Sequence, residues 1–113
     1  MNKFLISVLS ISIFTSIALD AAVYKGQREF VKKCVKCHKS GQVFVSTKKK
    51  REWNVFMKNK GEKLAEVHMQ SKNEDAEDSH EYFESRGFTK NSKHLKDFLF
   101  EYAADSGNVP ACN

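Results

Sequence analysis

Cys34-Val35-Lys36-Cys37-His38 constrains this chain more than any other stretch. Two thiols three positions apart span one helical turn, the separation at which both add across the vinyl groups of one haem. The histidine that follows then stands beneath the iron as its proximal ligand. The same spacing also occurs in thioredoxin-like redox pairs and in halves of zinc sites. Zinc needs a second ligand pair, and the only other cysteine is Cys112, remote and without a partner cysteine. A dithiol oxidoreductase needs βαβ patterning around the motif, which this sequence lacks. The pattern therefore predicts a covalently bound haem c on Cys34 and Cys37, with His38 on the iron. No second CxxCH is present, so one haem is the limit.

The opening residues, 1–18, read as a signal peptide. Lys3 gives a positive start, Phe4 to Ile17 is apolar apart from serines and a threonine, and Ser16-Ile17-Ala18 is a small-x-small cleavage pattern. Cleavage after Ala18 is expected, with Ala21 and Ala22 as alternatives. The run is short for a bilayer span, so the expectation is export to the periplasm without a permanent membrane span. Residues 19–113 then form one domain. A chain this short buries a thin core and needs a staple. With two cysteines committed to the motif, disulfides do not supply it; a covalent haem does.

The formal charge is +5, and removing Lys3 with the leader gives +5 − 1, about +4. Its distribution matters more than its total. Lys25, Arg28, Lys32, Lys33, Lys36 and Lys39 surround the motif, and Lys48, Lys49, Lys50 and Arg51 follow. Glu74, Asp75, Glu77, Asp78, Glu81 and Glu84 form an acidic block. Export argues against nucleic acid as the partner. A basic rim around an exposed haem edge predicts redox partner proteins with an acidic docking surface. Unpaired Cys112 is either an exposed thiol or the site of an intermolecular disulfide.

Helical periods dominate and no strand pair is evident, which predicts an all-α fold. The first helix is expected from Tyr24 to Cys37, with Gly26, Phe30 and Cys34 on one face and Gly26 allowing another helix to cross closely. His38 to Thr47 reads as a loop with Gly41 at a turn, from which Phe44 and Val45 fold towards the haem. Thr47 is expected to cap a helix from about Lys49 to Val67. Its apolar stripe is Trp53, Phe56, Met57, Leu64 and Val67, with a weak point at Gly61. Gln70 to Ser79 is polar and reads as a solvated loop. A helical turn from His80 to Arg86 is expected to stop at Gly87. Asn91 or Ser92 then caps a last helix with the stripe Leu95, Phe98, Leu99 and Tyr102, ended by Gly107.

These features resemble the class I c-type cytochromes, in which a helix carrying a glycine and an aromatic precedes CxxCH and crosses an amphipathic C-terminal helix. Gly26, Phe30, Cys34, Cys37 and His38 match the first half, and Leu95, Phe98, Leu99 and Tyr102 suit the second. The resemblance implies a small cytochrome c-like helical domain wrapped around one covalently attached haem. The middle segment, Trp53 with Phe56-Met57 and then Leu64 and His68, is also similar to small bis-histidine dihaem cytochromes, where a W-x-x-L-M helix leads to the distal histidine. Here the histidine comes later than in that pattern.

The sixth ligand decides the chemistry, because methionine sulfur raises the potential of haem iron relative to a second imidazole, and an open position admits small ligands. Met57 falls in the apolar stripe and reads as core, and His94, among lysines, reads as exposed. His80 begins a polar turn. His68 and Met69 are adjacent where the Trp53 helix ends; His68 continues the Leu64 face and is the favoured ligand, with Met69 the alternative and His80 or an open site also in play. No grouping of acid, base and nucleophile appears, so no enzymatic function is expected. The expected function is single-electron transfer between redox partners. A haem-based sensor with an open or displaceable sixth site, and a cytochrome subunit of a larger oxidoreductase, are the competing readings.

Overall fold

The computed structural model describes residues 20–108, so the expectations for the leader and for Cys112 lie outside the described residues. Among the described residues every regular element is a helix, and the all-α expectation is met. No helix among them is long and apolar enough to cross a membrane.

Helix α1 (20–33) runs into the motif. The Cys34 amide still donates to the Phe30 carbonyl at 2.8 Å, and the His38 amide to the Cys34 carbonyl at 2.9 Å. The chain thus continues through one turn at Cys34 into α2 (Val35–His38). Ser40, in the left-handed region at φ 53°, redirects it into α3 (Gly41–Val45). Where the sequence suggested only a loop, this short helix buries Val45 completely. The buried Trp53 indole N–H, donating to the Val45 carbonyl at 2.9 Å, ties it to the following helix.

Helix α4 (Lys50–Met69) begins one turn of chain after Thr47. Thr47 does not cap it: its hydroxyl donates to the Phe44 carbonyl at 2.7 Å. The first amides are met instead by two carboxylates. Glu52 accepts from the Lys49 N–H at 3.2 Å, and Asp105, from far along the chain, accepts from the Lys50 N–H at 2.9 Å. Inside α4 the backbone leaves helical geometry at Lys58 and passes through three left-handed residues, Asn59, Lys60 and Gly61. The weak point expected at Gly61 is therefore a true break. At Gly61 a Cβ would lie 2.6 Å from Cζ of Phe88, so the buried Phe88 ring packs where a side chain would be.

The polar segment after α4 contains a short helix, α5 (Glu74–Glu77), capped by Asn73, whose side chain accepts from the Asp75 N–H at 2.9 Å. Its acidic first turn suits the helix dipole. Then follow α6 (His80–Glu84) and α7 (Arg86–Glu101). The last helix starts earlier than the sequence suggested: Ser85, not Asn91 or Ser92, is its cap, accepting from the Phe88 N–H at 3.2 Å. Gly87 lies inside the first turn and stops nothing. This shift makes Phe88 a core residue, 1% exposed.

The core is formed by Phe30, Val45, Trp53, Met57, Phe88, Leu95, Phe98, Leu99 and Ala103. Helix α7 supplies much of it and packs against both α4 and α6. Helix α1 crosses α7 at Gly26, where a Cβ would overlap the His94 carbonyl oxygen and lie 2.8 Å from Cβ of Phe98. Phe30, one turn on, meets Phe98 at 5.4 Å between ring centroids. That crossing delivers the end of α1, and with it Cys34, to the side of the core.

Candidate functional site

A cavity of about 360 Å³ opens beside this core, within the roughly 300–1,000 Å³ of small-molecule and cofactor clefts. Phe30, Phe44, Trp53, Phe56, Leu64, Phe83, Leu95 and Leu99 supply its apolar wall. Cys34, Cys37, His38 and His68 line it as well. Four residues that the sequence singled out thus meet in one place, although thirty positions separate His38 from His68.

The two imidazoles approach edge to face. Their ring centroids are 5.9 Å apart and their planes are nearly perpendicular, at 83°. His38 lies stacked on Phe44, at 4.2 Å and 25°. Burial, and after it the neighbouring His68, lowers the His38 pKa and keeps that ring neutral, the form in which an imidazole nitrogen binds a metal. His68 is held on two sides. Its Nδ1 lies 2.6 Å from the Leu64 carbonyl, which fixes that nitrogen as the protonated one and leaves the lone pair on Nε2. Its ring also packs on Phe83 at 4.3 Å.

The break in α4 creates this placement. Because the chain turns at Lys58–Gly61, the second half of the helix starts afresh, and Leu64, Val67 and His68 all reach the cavity. Met69, the next residue, does not line it. His80 is half-buried, and its Nε2 lies 3.0 Å from the His68 carbonyl. It braces the backbone of the favoured ligand. Met57 is in the core as expected, 4% exposed. His94 departs from expectation: it is half-buried at the α1–α7 crossing, with Nδ1 sheltered from solvent and without a hydrogen-bond partner among the described residues.

The thiols differ in character. Burial pushes the Cys34 thiol up to about 12, with Glu29 and Cys37 adding to the effect. A dithiol oxidoreductase needs the opposite, a lowered pKa that leaves an attacking thiolate at neutral pH. Cys37 is exposed, its Sγ 4.0 Å from the Asp75 carbonyl oxygen.

That contact belongs to an arrangement the sequence did not reveal. The acidic segment folds over the motif: Asn73, Asp75, Ala76 and Ser79 line the cavity, and Asp78 pairs with Lys36 at 3.6 Å. Lys33 lies over the Tyr82 ring at 5.3 Å. Two of the lysines nearest the motif are thus engaged within the molecule. Both partners of the Lys36–Asp78 pair are largely exposed, so the pair adds little stability.

Comparison with protein-family models, with curated proteins and with solved structures gives no match. The functional reading therefore stands on the chain's own residues.

Proposed function

We propose that this chain is an exported monohaem c-type cytochrome that carries single electrons, with haem joined to Cys34 and Cys37 and its iron held between His38 and His68. The observation that carries the reading is the approach of these two imidazoles at 5.9 Å in the cavity that both thiols line. Metal–nitrogen bonds of about 2 Å, with roughly 1 Å more from each nitrogen to its ring centre, are compatible with both imidazoles of such a pair holding one metal ion.

A haem bound here supplies reversible one-electron exchange at its iron. Cys34 and Cys37 would hold the group through thioethers, each S–H adding across a vinyl group with no net change in oxidation state. His38 and His68 would each offer an imidazole nitrogen, and the Leu64 carbonyl, accepting from Nδ1, leaves Nε2 of His68 for that role. Phe30, Phe44, Trp53 and Phe83 line the cavity and would shield a group held there from water, an environment in which the two histidines would tune its potential. Lys25, Arg28, Lys32 and Lys39 are exposed and, among the described residues, have no carboxylate within ion-pair reach; they would meet an acidic redox partner.

The test is a haem stain of the periplasmic protein on a denaturing gel, followed by spectra of the reduced protein with and without carbon monoxide. A stained band that disappears in the Cys34→Ala, Cys37→Ala double variant, with a spectrum indifferent to carbon monoxide, is the expected result. A protein that matures without haem ends this reading. Rapid carbon monoxide binding by the unmodified protein turns it into a sensor.

A further inference from the structure

The cavity has a cationic mouth that neither the attachment motif nor the axial histidines use. Lys48 extends its ammonium over two rings of the wall, 6.0 Å from the centre of Trp53 and 5.5 Å from that of Phe56. Lys63, from beyond the break in α4, reaches the same Phe56 ring at 5.2 Å. Among the described residues neither ammonium has a carboxylate partner. Lys48 is half-buried and itself lines the cavity. Its backbone is pinned, since its carbonyl accepts the Ala104 N–H at 2.8 Å. Lys48 in the cavity wall and the exposed Lys63 beside the same Phe56 ring are two cations without an anion, and together they can receive a negatively charged edge.

The ring contacts say which edge. From His38 they pass to Phe44, then Trp53, then Phe56, at 4.2, 6.0 and 6.0 Å. This series ends at Phe56, the ring that both lysines approach, while the Cys37 thiol lies beside Asp75. A haem attached through its vinyl groups carries two carboxylates on the opposite edge of the ring. We propose that Lys48 and Lys63 bind those two carboxylates, so that the site recognises a planar tetrapyrrole dicarboxylate at both ends: thiols at one, ammonium groups at the other. The inference rests on the haem reading above, and it adds a consequence of its own. Cations beside the carboxylates favour the reduced, more negative state of the bound group, and so raise its potential.

Spectroelectrochemical titration of the holoprotein tests this. Lys48→Gln with Lys63→Gln should lower the reduction equilibrium constant about tenfold, equivalent to about 59 mV for a one-electron couple, and shift the carboxylate bending bands in the resonance Raman spectrum. The pair Lys90→Gln and Lys93→Gln, which changes the same charge away from the cavity, should leave both readouts in place. Lys48→Arg with Lys63→Arg keeps the cations and should hold the potential near that of the parent, which also serves if the glutamine variant fails to mature. A haem-loaded glutamine variant with unchanged potential and Raman bands overturns the proposal while the cytochrome reading survives. An arginine variant whose potential falls well below that of the parent overturns it too. A parent protein that carries no haem removes both.

Discussion

The Tyr82 hydroxyl donates to Oε1 of Glu29 at 2.7 Å, tying α6 to the helix that carries the first thiol. Asn91 reaches the other oxygen of Glu29 at 3.4 Å. Burial, with the Glu29 contact next, pushes the Tyr82 phenol up, so it remains a neutral donor across the physiological range. The residue after Tyr82 is Phe83, which packs on His68. One hydrogen bond therefore joins the two sides of the cavity.

Tyr82→Phe removes that donor and leaves the half-buried Glu29 carboxylate with the long Asn91 contact alone. The expected cost is about 1–2 kcal/mol, which for a domain of this size lowers the Tm by roughly 4–8 °C per kcal/mol. Thermal unfolding followed by circular dichroism measures it; a Tm equal to that of the parent would show that the bond carries no load.

His68→Ala should open the iron to carbon monoxide in the reduced protein and change its potential, while Met69→Ala should do neither, because Met69 does not line the cavity. Absorption spectra taken before and after carbon monoxide report the difference. The reverse pattern, with Met69→Ala opening the site, would make this a histidine–methionine cytochrome of higher potential.

Gly26→Ala sets a methyl group against the His94 carbonyl, and backbone at a helix crossing does not yield as a flexible side chain does. The expected destabilisation is about 3 kcal/mol. Gly87→Ala, whose new Cβ meets only the Ser85 hydroxyl at 3.5 Å, is the matched control and should be nearly neutral. Denaturant unfolding of both variants decides, and equal midpoints would contradict the close crossing.

Asp105 is fully exposed, yet its carboxyl is held below the ordinary range, first by the hydrogen bond from the Lys50 N–H. A carboxyl whose folded pKa is depressed adds stability above its unfolded pKa, and that stability fades as the pH falls through the folded value. Acid titration of the parent should therefore show a loss that Asp105→Asn lacks, the variant being the less stable near neutral pH and the two converging in acid. Parallel curves at all pH values would exclude the carboxylate as the cap of α4.

The sequence by itself determined the CxxCH unit, the helical class and the glycine at the crossing. Cys34, Cys37 and His38 are legible because their spacing is a local property of one turn. Gly26 and Phe30 are legible because a four-residue period marks one helix face. The stripe of Leu95, Phe98 and Leu99 is readable for the same reason, and all three are buried. Gly61 was readable as a weak point, since glycine tolerates the left-handed backbone found there.

Only the tertiary structure decided the rest. Asn91 and Ser92 looked like caps, but Ser85 wins because starting the helix there buries Phe88 against Gly61, a contact between residues far apart in the chain. Which of His68 and Met69 lines the cavity depends on which face the second half of α4 presents after its break, and no local pattern reports the direction of a helix that restarts. The acidic block read as a solvated loop, yet Asp75 and Asp78 lie against the attachment motif. The same holds for Lys48, which the sequence showed only as part of a basic run, and for Lys63, which meets it at Phe56 from beyond the break in α4. Where charges meet is set by how the helices pack, and packing is the information that a linear pattern does not carry.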